Sequence, residues 1–170
     1  MLPIVLSGLM VRDGVAGAGE GLRRRLAVLE AGGIAQPAVF TNRLPSQDEL
    51  TALNILFVAG LSDAQSRSGA AAARAAGVLV NVEDVPALCD FHLPAQVRRG
   101  DLLVAVSTAG RSPALARALR EDLEQRFGPE WEGHLDEVAV LRGAWRAEGA
   151  SPDEVSQRTR EMLTERGWLA

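Results

Sequence analysis

The chain has 170 residues, enough for one ordinary domain with a helical extension, and its 47% apolar content can fill a real core. A formal charge of −4 without any basic run interleaved with aromatics excludes a nucleic-acid backbone binder. No apolar stretch reaches the roughly 18 residues that a membrane span needs, and the first residues lack the basic segment and small-residue cleavage site of a signal peptide.

Residues 2–11 are apolar enough for a first strand centred on Ile4, Val5 and Leu6. Arg12, Asp13 and Gly14 interrupt that character, and Gly17, Ala18 and Gly19 form a glycine-bearing turn. From Glu20 to Glu30, Leu22, Leu26 and Leu29 share one side of a helix closed by Gly32 and Gly33. Residues 37–41 (PAVFT) predict a second strand, 44–53 a short helix opened by Pro45 and Ser46, and 55–59 a third strand. Ser62 caps an alanine-rich helix over 64–76, thin enough to lie close on a sheet, and Gly77 ends it. Residues 78–82 are a fourth strand, followed by an acidic turn and a short helical or irregular segment.

The unbroken apolar run 102–106 reads as a fifth, fully buried parallel strand. Ser107, Thr108, Ala109 and Gly110 turn the chain into a helix capped by Ser112 and opened by Pro113. Leu115, Leu119, Leu123 and Phe127 recur down one face of that helix, and Gly128 and Pro129 stop it. A second stripe, Trp131, Leu135, Val138, Leu141 and Trp145, is closed by Gly149. Ser151-Pro152-Asp153-Glu154 is a capping box opening a last helix through Glu165. Strands alternating with helices at this spacing specify an α/β fold, a Rossmann-like doubly wound parallel sheet with a carboxyl-terminal helical extension.

In order and spacing, NVED (81–84), LCDF (88–91), LPA (93–95), RRGDLLVAVST (98–108) and SPALARALRE (112–121) resemble the precorrin-2 dehydrogenase / sirohydrochlorin ferrochelatase family. That family includes the amino-terminal module of bacterial sirohaem synthase. The likeness is dense over 77–129, weaker over 2–33 and faint after Trp131. It implies a cytoplasmic homodimer that oxidises the tetrapyrrole precorrin-2 to sirohydrochlorin with NAD, and ferrous-iron insertion as a further activity of the family. The expected division is a dinucleotide-binding domain over 1–112 and a helical dimerisation or tail region over 113–170. The tail stripe suits a dimer interface or packing on its own subunit equally.

The resemblance also implies site residues. It sets the first nucleotide-binding strand at about 12–16, downstream of the run that the residues themselves favour. Cofactor phosphates would meet Gly17, Ala18, Gly19 and Glu20, with Arg24 and Arg25 nearby. Two departures stand out: Arg12, Asp13 and Gly14 occupy strand positions, and Leu22 holds the third small-residue site. Asn42 stands where such folds contact the adenosine ribose, in place of the usual acid.

Asp84 matches the family's proposed general acid/base, which would accept a proton as hydride leaves the macrocycle. The alternative is an aspartate bonded to its own turn before Pro86. Ser107, Thr108, Gly110 and Arg111 would hold substrate carboxylates or a phosphate, against plain loop-and-cap chemistry. All 18 basic residues are arginines, which removes any phosphate-loop or Schiff-base lysine and leaves anions to Arg and backbone N–H groups. Arg98 and Arg99 read as substrate partners or as solvated surface.

The single cysteine, Cys89, suits a reducing compartment and reads as core. His92 is a second proton acceptor, an iron ligand or a structural histidine. No Cys/His cluster surrounds it, so no preformed metal site is expected. Two rivals remain at this level: a relative that has lost NAD and acts as a chelatase or tetrapyrrole binder, and a nucleotide-sensing or scaffold domain.

Overall fold

The computed structural model describes residues 2–7, 10–34 and 36–169, in two compact units, Met1–Leu93 and Pro94–Ala170. In the first unit, strands β1 (Asp13–Gly17), β2 (Ala38–Thr41), β3 (Ile55–Ala59) and β4 (Leu79–Val82) alternate with helices α1 (Gly19–Ala31), α2 (Gln47–Thr51) and α3 (Asp63–Ala75). The four strands form one parallel sheet in the order β2-β1-β3-β4. The chain therefore steps outward from β1 to β2 and returns to β3 on the other side, so the order reverses between β1 and β3.

Alternation along the strands buries both faces, as a doubly wound sheet requires. Ala16, Leu56, Val58, Val80 and Val82 pack with Leu50 of α2 and with Ala70 and Ala73 of α3. Val15, Ile55 and Phe57 point the other way, against Leu22 and Leu29 of α1. The alanines of α3 let it approach closely, and a Cβ on Gly69 would lie 2.7 Å from Leu44 Cδ2. Ser46 and Ser62 open α2 and α3 with complete capping boxes, whose third residues are Glu49 and Gln65.

Two sequence expectations are corrected. The first strand is Asp13–Gly17, and residues 2–7 carry no regular structure, with Leu2 80% and Val5 82% exposed. A central strand is chosen by its ladder partners on both sides, and β1 pairs with both β2 and β3. Gly14 belongs there because a Cβ would stand 2.5 Å from Leu53 Cδ1. Arg12 anchors the strand's entry: its N–H donates to Asn54 Oδ1 at 3.0 Å and its Nε to the Ala52 carbonyl at 2.6 Å.

The run Leu102–Val106 is the second correction. It forms strand β6 of an antiparallel pair with β5 (Ala95–Arg99), not a fifth parallel strand, and it is only partly buried. An apolar run alone does not distinguish the two settings. The informative signal was the two-residue Gly100-Asp101 turn between the strands, with Gly100 at φ +54°. The compact units divide at 93/94, which keeps β6 with the helix that follows it.

That second unit continues with α4 (Pro113–Arg126), α5 (Trp131–Ala147) and α6 (Pro152–Glu165). Helix α4 packs on the hairpin, where Val97 is buried, while Leu115 and Leu119 remain 52% and 42% exposed. Phe127, Trp131, His134 and Trp168 form a chain of ring contacts, and the last pair is stacked at 3.7 Å. Among the described residues no helix is long and apolar enough to cross a membrane.

Candidate functional site

Four loops leave the carboxyl edge of the parallel sheet, and their backbones carry the first unit's candidate residues. Gly17 ends β1, Ala18 is the N-cap of α1 without a side-chain cap bond, and Gly19 opens the helix at φ +53°. Only a residue tolerant of the left-handed region fits at 19, and a Cβ there would face open space. At Gly17 the constraint is packing, since a Cβ would lie 2.5 Å from the Ala59 carbonyl oxygen. The Ala18 N–H donates to that same oxygen at 3.1 Å, tying the turn to the end of β3.

Sequence reasoning put the loss of the third small residue at Leu22. In the structure Leu22 is buried core, and close approach falls to Gly21, where a Cβ would sit 2.7 Å from the Gly60 nitrogen. Gly60 follows β3 at φ +67° and is the partner that the sequence reading missed. Its signal was a glycine directly after a buried strand. The amides of a helix's first turn lack intrahelical partners and favour anions. Glu20 stands in that turn, and its bond to Arg23 holds its carboxyl below the usual carboxylate range.

Asn42 follows β2 in the left-handed region, φ 57°, and its N–H donates to the Gly17 carbonyl at 2.8 Å. It therefore lies directly beside the glycine turn. Next in sequence, Arg43 holds Glu49 in a two-point fork at 2.8 and 2.7 Å.

Asp84 follows β4 at φ 60°, exposed to solvent. Among the described residues its carboxylate makes no hydrogen bond to its own turn, which is the alternative the sequence allowed. Its neighbour Glu83 turns toward α1: Glu83 Oε2 would lie 3.0 Å from a Cβ on Gly21 and is 3.4 Å from Arg24 Nη2. The pairing of Glu83 with α1 was not read from the sequence. Arg25 lies 5.2 Å over the Phe57 ring, where desolvation pulls its pKa down.

The loop bearing Asp84 is fastened at its base. Asp90 N donates to the Val80 carbonyl at 2.8 Å, Asp90 Oδ2 accepts from Val80 N at 3.0 Å, and Oδ1 accepts from Arg74 Nε at 2.8 Å. Asn81 Nδ2 donates to the Phe91 carbonyl at 2.9 Å, and Cys89 Sγ accepts from Val82 N at 3.3 Å. Residues 89–91 thus cover the free edge of β4 as a further strand would. Cys89 is partly buried against the core, and His92 is exposed.

In the second unit, Ser107, Thr108, Gly110 and Arg111 follow the antiparallel strand β6. The expectation that these residues follow a fifth parallel strand is therefore corrected. Ser107 Oγ accepts from Ala109 N at 3.3 Å, and Thr108 Oγ1 donates to the Ser112 carbonyl at 3.1 Å. Ala109 and Gly110 both have positive φ, and Arg111 is exposed. Arg99 is not the solvated residue expected: its Nη2 donates to the Glu124 carbonyl at 3.3 Å.

Comparison with known proteins adds the family. A model described as "Putative NAD(P)-binding" matches residues 30–95, and one described as "Sirohaem biosynthesis protein central" matches 99–126. The chain is 35% identical over 157 residues to a siroheme synthase of Thiobacillus denitrificans, covering 82% of this chain and 33% of that protein. It is 33% identical over 84 residues to the siroheme biosynthesis protein met8 of Schizosaccharomyces pombe, covering 49% of this chain and 32% of the relative. The chain thus spans about a third of the length of these curated relatives. A solved structure of "SirC, precorrin-2 dehydrogenase" shares the fold, with a TM-score of 0.63 at 21% identity over 96% of this chain and 88% of that one. The two family models fall on consecutive segments, 30–95 and 99–126, and together with these relatives they agree with the motifs in likening the chain to the precorrin-2 dehydrogenase / sirohydrochlorin ferrochelatase family.

Proposed function

We propose that the chain is a cytoplasmic precorrin-2 dehydrogenase, oxidising precorrin-2 to sirohydrochlorin with NAD in sirohaem biosynthesis. The observation that carries this reading is a convergence at one sheet edge. The glycine turn after β1, Asn42 after β2, Gly60 after β3 and Asp84 after β4 all leave the carboxyl ends of parallel strands, around the point where strand order reverses. Open α/β sheets bind ligands at that point.

The residues fit a dinucleotide. Gly17 and Gly21 leave no room for a Cβ, so the first turn of α1 is drawn close to the sheet, and a Cβ on Gly19 would meet nothing within 4 Å. Pairing of Glu20 with Arg23 offsets the one carboxylate in that turn, and Gly21 supplies the small residue that Leu22 does not. Both points weigh against a relative that has lost the cofactor.

When bound, NAD would supply the hydride acceptor. The amides of Gly19, Glu20 and Gly21 would hold its pyrophosphate, and Asn42 would meet a ribose hydroxyl. Asp84 would take the proton that precorrin-2 gives up with the hydride and pass it to water, which its exposure permits. Ser107, Thr108, the Gly110 amide and the Arg111 guanidinium would hold substrate carboxylates. Insertion of ferrous iron, with Asp84 accepting pyrrole protons, and homodimerisation through the helical region complete the proposal.

The test supplies precorrin-2 with NAD and follows sirohydrochlorin absorbance, together with NADH titration. Asp84→Asn is expected to lower kcat by about 100-fold or more with unchanged NADH affinity. Unchanged turnover removes Asp84 as the base, and failure to bind NADH at millimolar concentration removes the dehydrogenase.

A further inference from the structure

Arg43 follows Asn42 at the end of β2, where a Rossmann-type sheet meets the adenosine ribose. An arginine near this position accommodates the 2′-phosphate of NADP, whereas a carboxylate there bonds the 2′-hydroxyl of NAD. Neither simple case applies here. Asn42 is uncharged, so nothing at that position repels a phosphate, and discrimination falls to the next residue.

The Arg43 guanidinium is already engaged on three sides. Nη1 donates to Glu49 Oε2 at 2.8 Å and to the Leu44 carbonyl at 3.2 Å, while Nη2 donates to Glu49 Oε1 at 2.7 Å. Its plane lies over the buried Phe40 ring, 5.0 Å from the centroid. Glu49 is itself fixed, because as the third residue of the α2 capping box its Oε2 accepts from Ser46 N at 2.7 Å. The Arg43 fork, followed by the Ser46 bonds, holds the Glu49 carboxyl at about 2, so it stays charged at any working pH.

Resting on the dinucleotide reading above, we propose that Glu49 is a specificity-determining residue: by filling the fork of Arg43 it withholds that arginine from a 2′-phosphate and sets a preference for NAD over NADP. A 2′-phosphate would have to break two charge-assisted bonds and then lie beside the displaced carboxylate. The 2′-hydroxyl of NAD needs neither change. The preference is thus built by denying a partner to the wrong cofactor.

The experiment measures NADH and NADPH binding by calorimetry to the full chain and to Glu49→Gln, Arg43→Ala and the double variant. Glutamine keeps an acceptor for Ser46 N and the helix cap while loosening the fork. Wild type is expected to favour NADH. Glu49→Gln should tighten NADPH about tenfold while NADH stays within about twofold, and the added Arg43→Ala should cancel that gain. Normal NADH affinity with an unmoved NADPH/NADH ratio in Glu49→Gln, or a gain that survives Arg43→Ala, overturns the specificity claim alone. Wild type binding neither dinucleotide overturns the dinucleotide reading and this claim with it.

Discussion

Asp90 fastens the loop that carries Asp84, and the cost of removing its carboxylate follows from its partners. In Asp90→Ala the Val80 N–H, on a strand residue with no exposure, loses its acceptor. An orphaned donor of that kind costs about 1–3 kcal/mol. The Arg74 pair lies 42% and 23% exposed on its two sides and adds about 0.2–1 kcal/mol. Together these give about 1–4 kcal/mol. Asp90→Asn keeps an acceptor for Val80 and loses only the charge, so it should cost under about 1 kcal/mol. Urea unfolding followed by circular dichroism reads both values at fixed pH. An alanine variant within about 0.5 kcal/mol of wild type, or an asparagine variant as damaged as alanine, would refute the assignment of the loss to the Val80 bond.

Two further outcomes are expected. Gly21→Ala puts a methyl 2.7 Å from Gly60 N, 2.9 Å from its Cα and 3.0 Å from Glu83 Oε2. Displacement of the first turn of α1 should cost about 1–3 kcal/mol in thermal unfolding and weaken NADH binding in the same titration. Asp13 is only 6% exposed, and its Oδ1 has no partner among the described residues. Burial raises its pKa above 3.8, so the fold is favoured by the protonated form and loses stability as pH rises from 3.8 through the folded value. Asp13→Asn should therefore exceed wild type by on the order of 1 kcal/mol at neutral pH and converge with it in acid. A gap that ignores pH in denaturant titrations would contradict this account.

Local signals made most of the elements legible. Ser62 with Gln65, Ser112 with Pro113, and Ser151 with Glu154 are complete within a few residues, and helices start at each. The run 55–59 became β3 with the expected bounds, because a strand buried on both faces must be apolar throughout. The run 2–6 shows the limit of that rule. It has the composition of a strand, yet β1 is the polar-fronted Asp13–Gly17, because Leu53 and Phe40 crowd Gly14 and β2 and β3 flank the strand. The family resemblance located β1 where residue composition did not.

The site was legible in the same uneven way. The strand-end positions of the candidates Gly17, Asn42 and Asp84 could be read along the chain, because each ends or follows its own strand. Gly60 against Gly21, Glu83 against Arg24 and Asp90 against Val80 join residues from different elements or across an intervening loop.

By itself, the sequence determined the helices α1 to α6 and the strands β2, β3, β4 and β6, through caps, turns and apolar period. It also carried the family resemblance, through a long block of motifs in fixed order. Only the tertiary structure decided that β6 leaves the parallel sheet for a hairpin and that Gly21 replaces Leu22 at the close approach. It alone showed that Glu49 occupies Arg43. Each of these depends on which surfaces meet after collapse. Pairing partners and hydrogen-bond saturation are properties of the packed molecule, whereas propensity and capping are properties of a few consecutive residues.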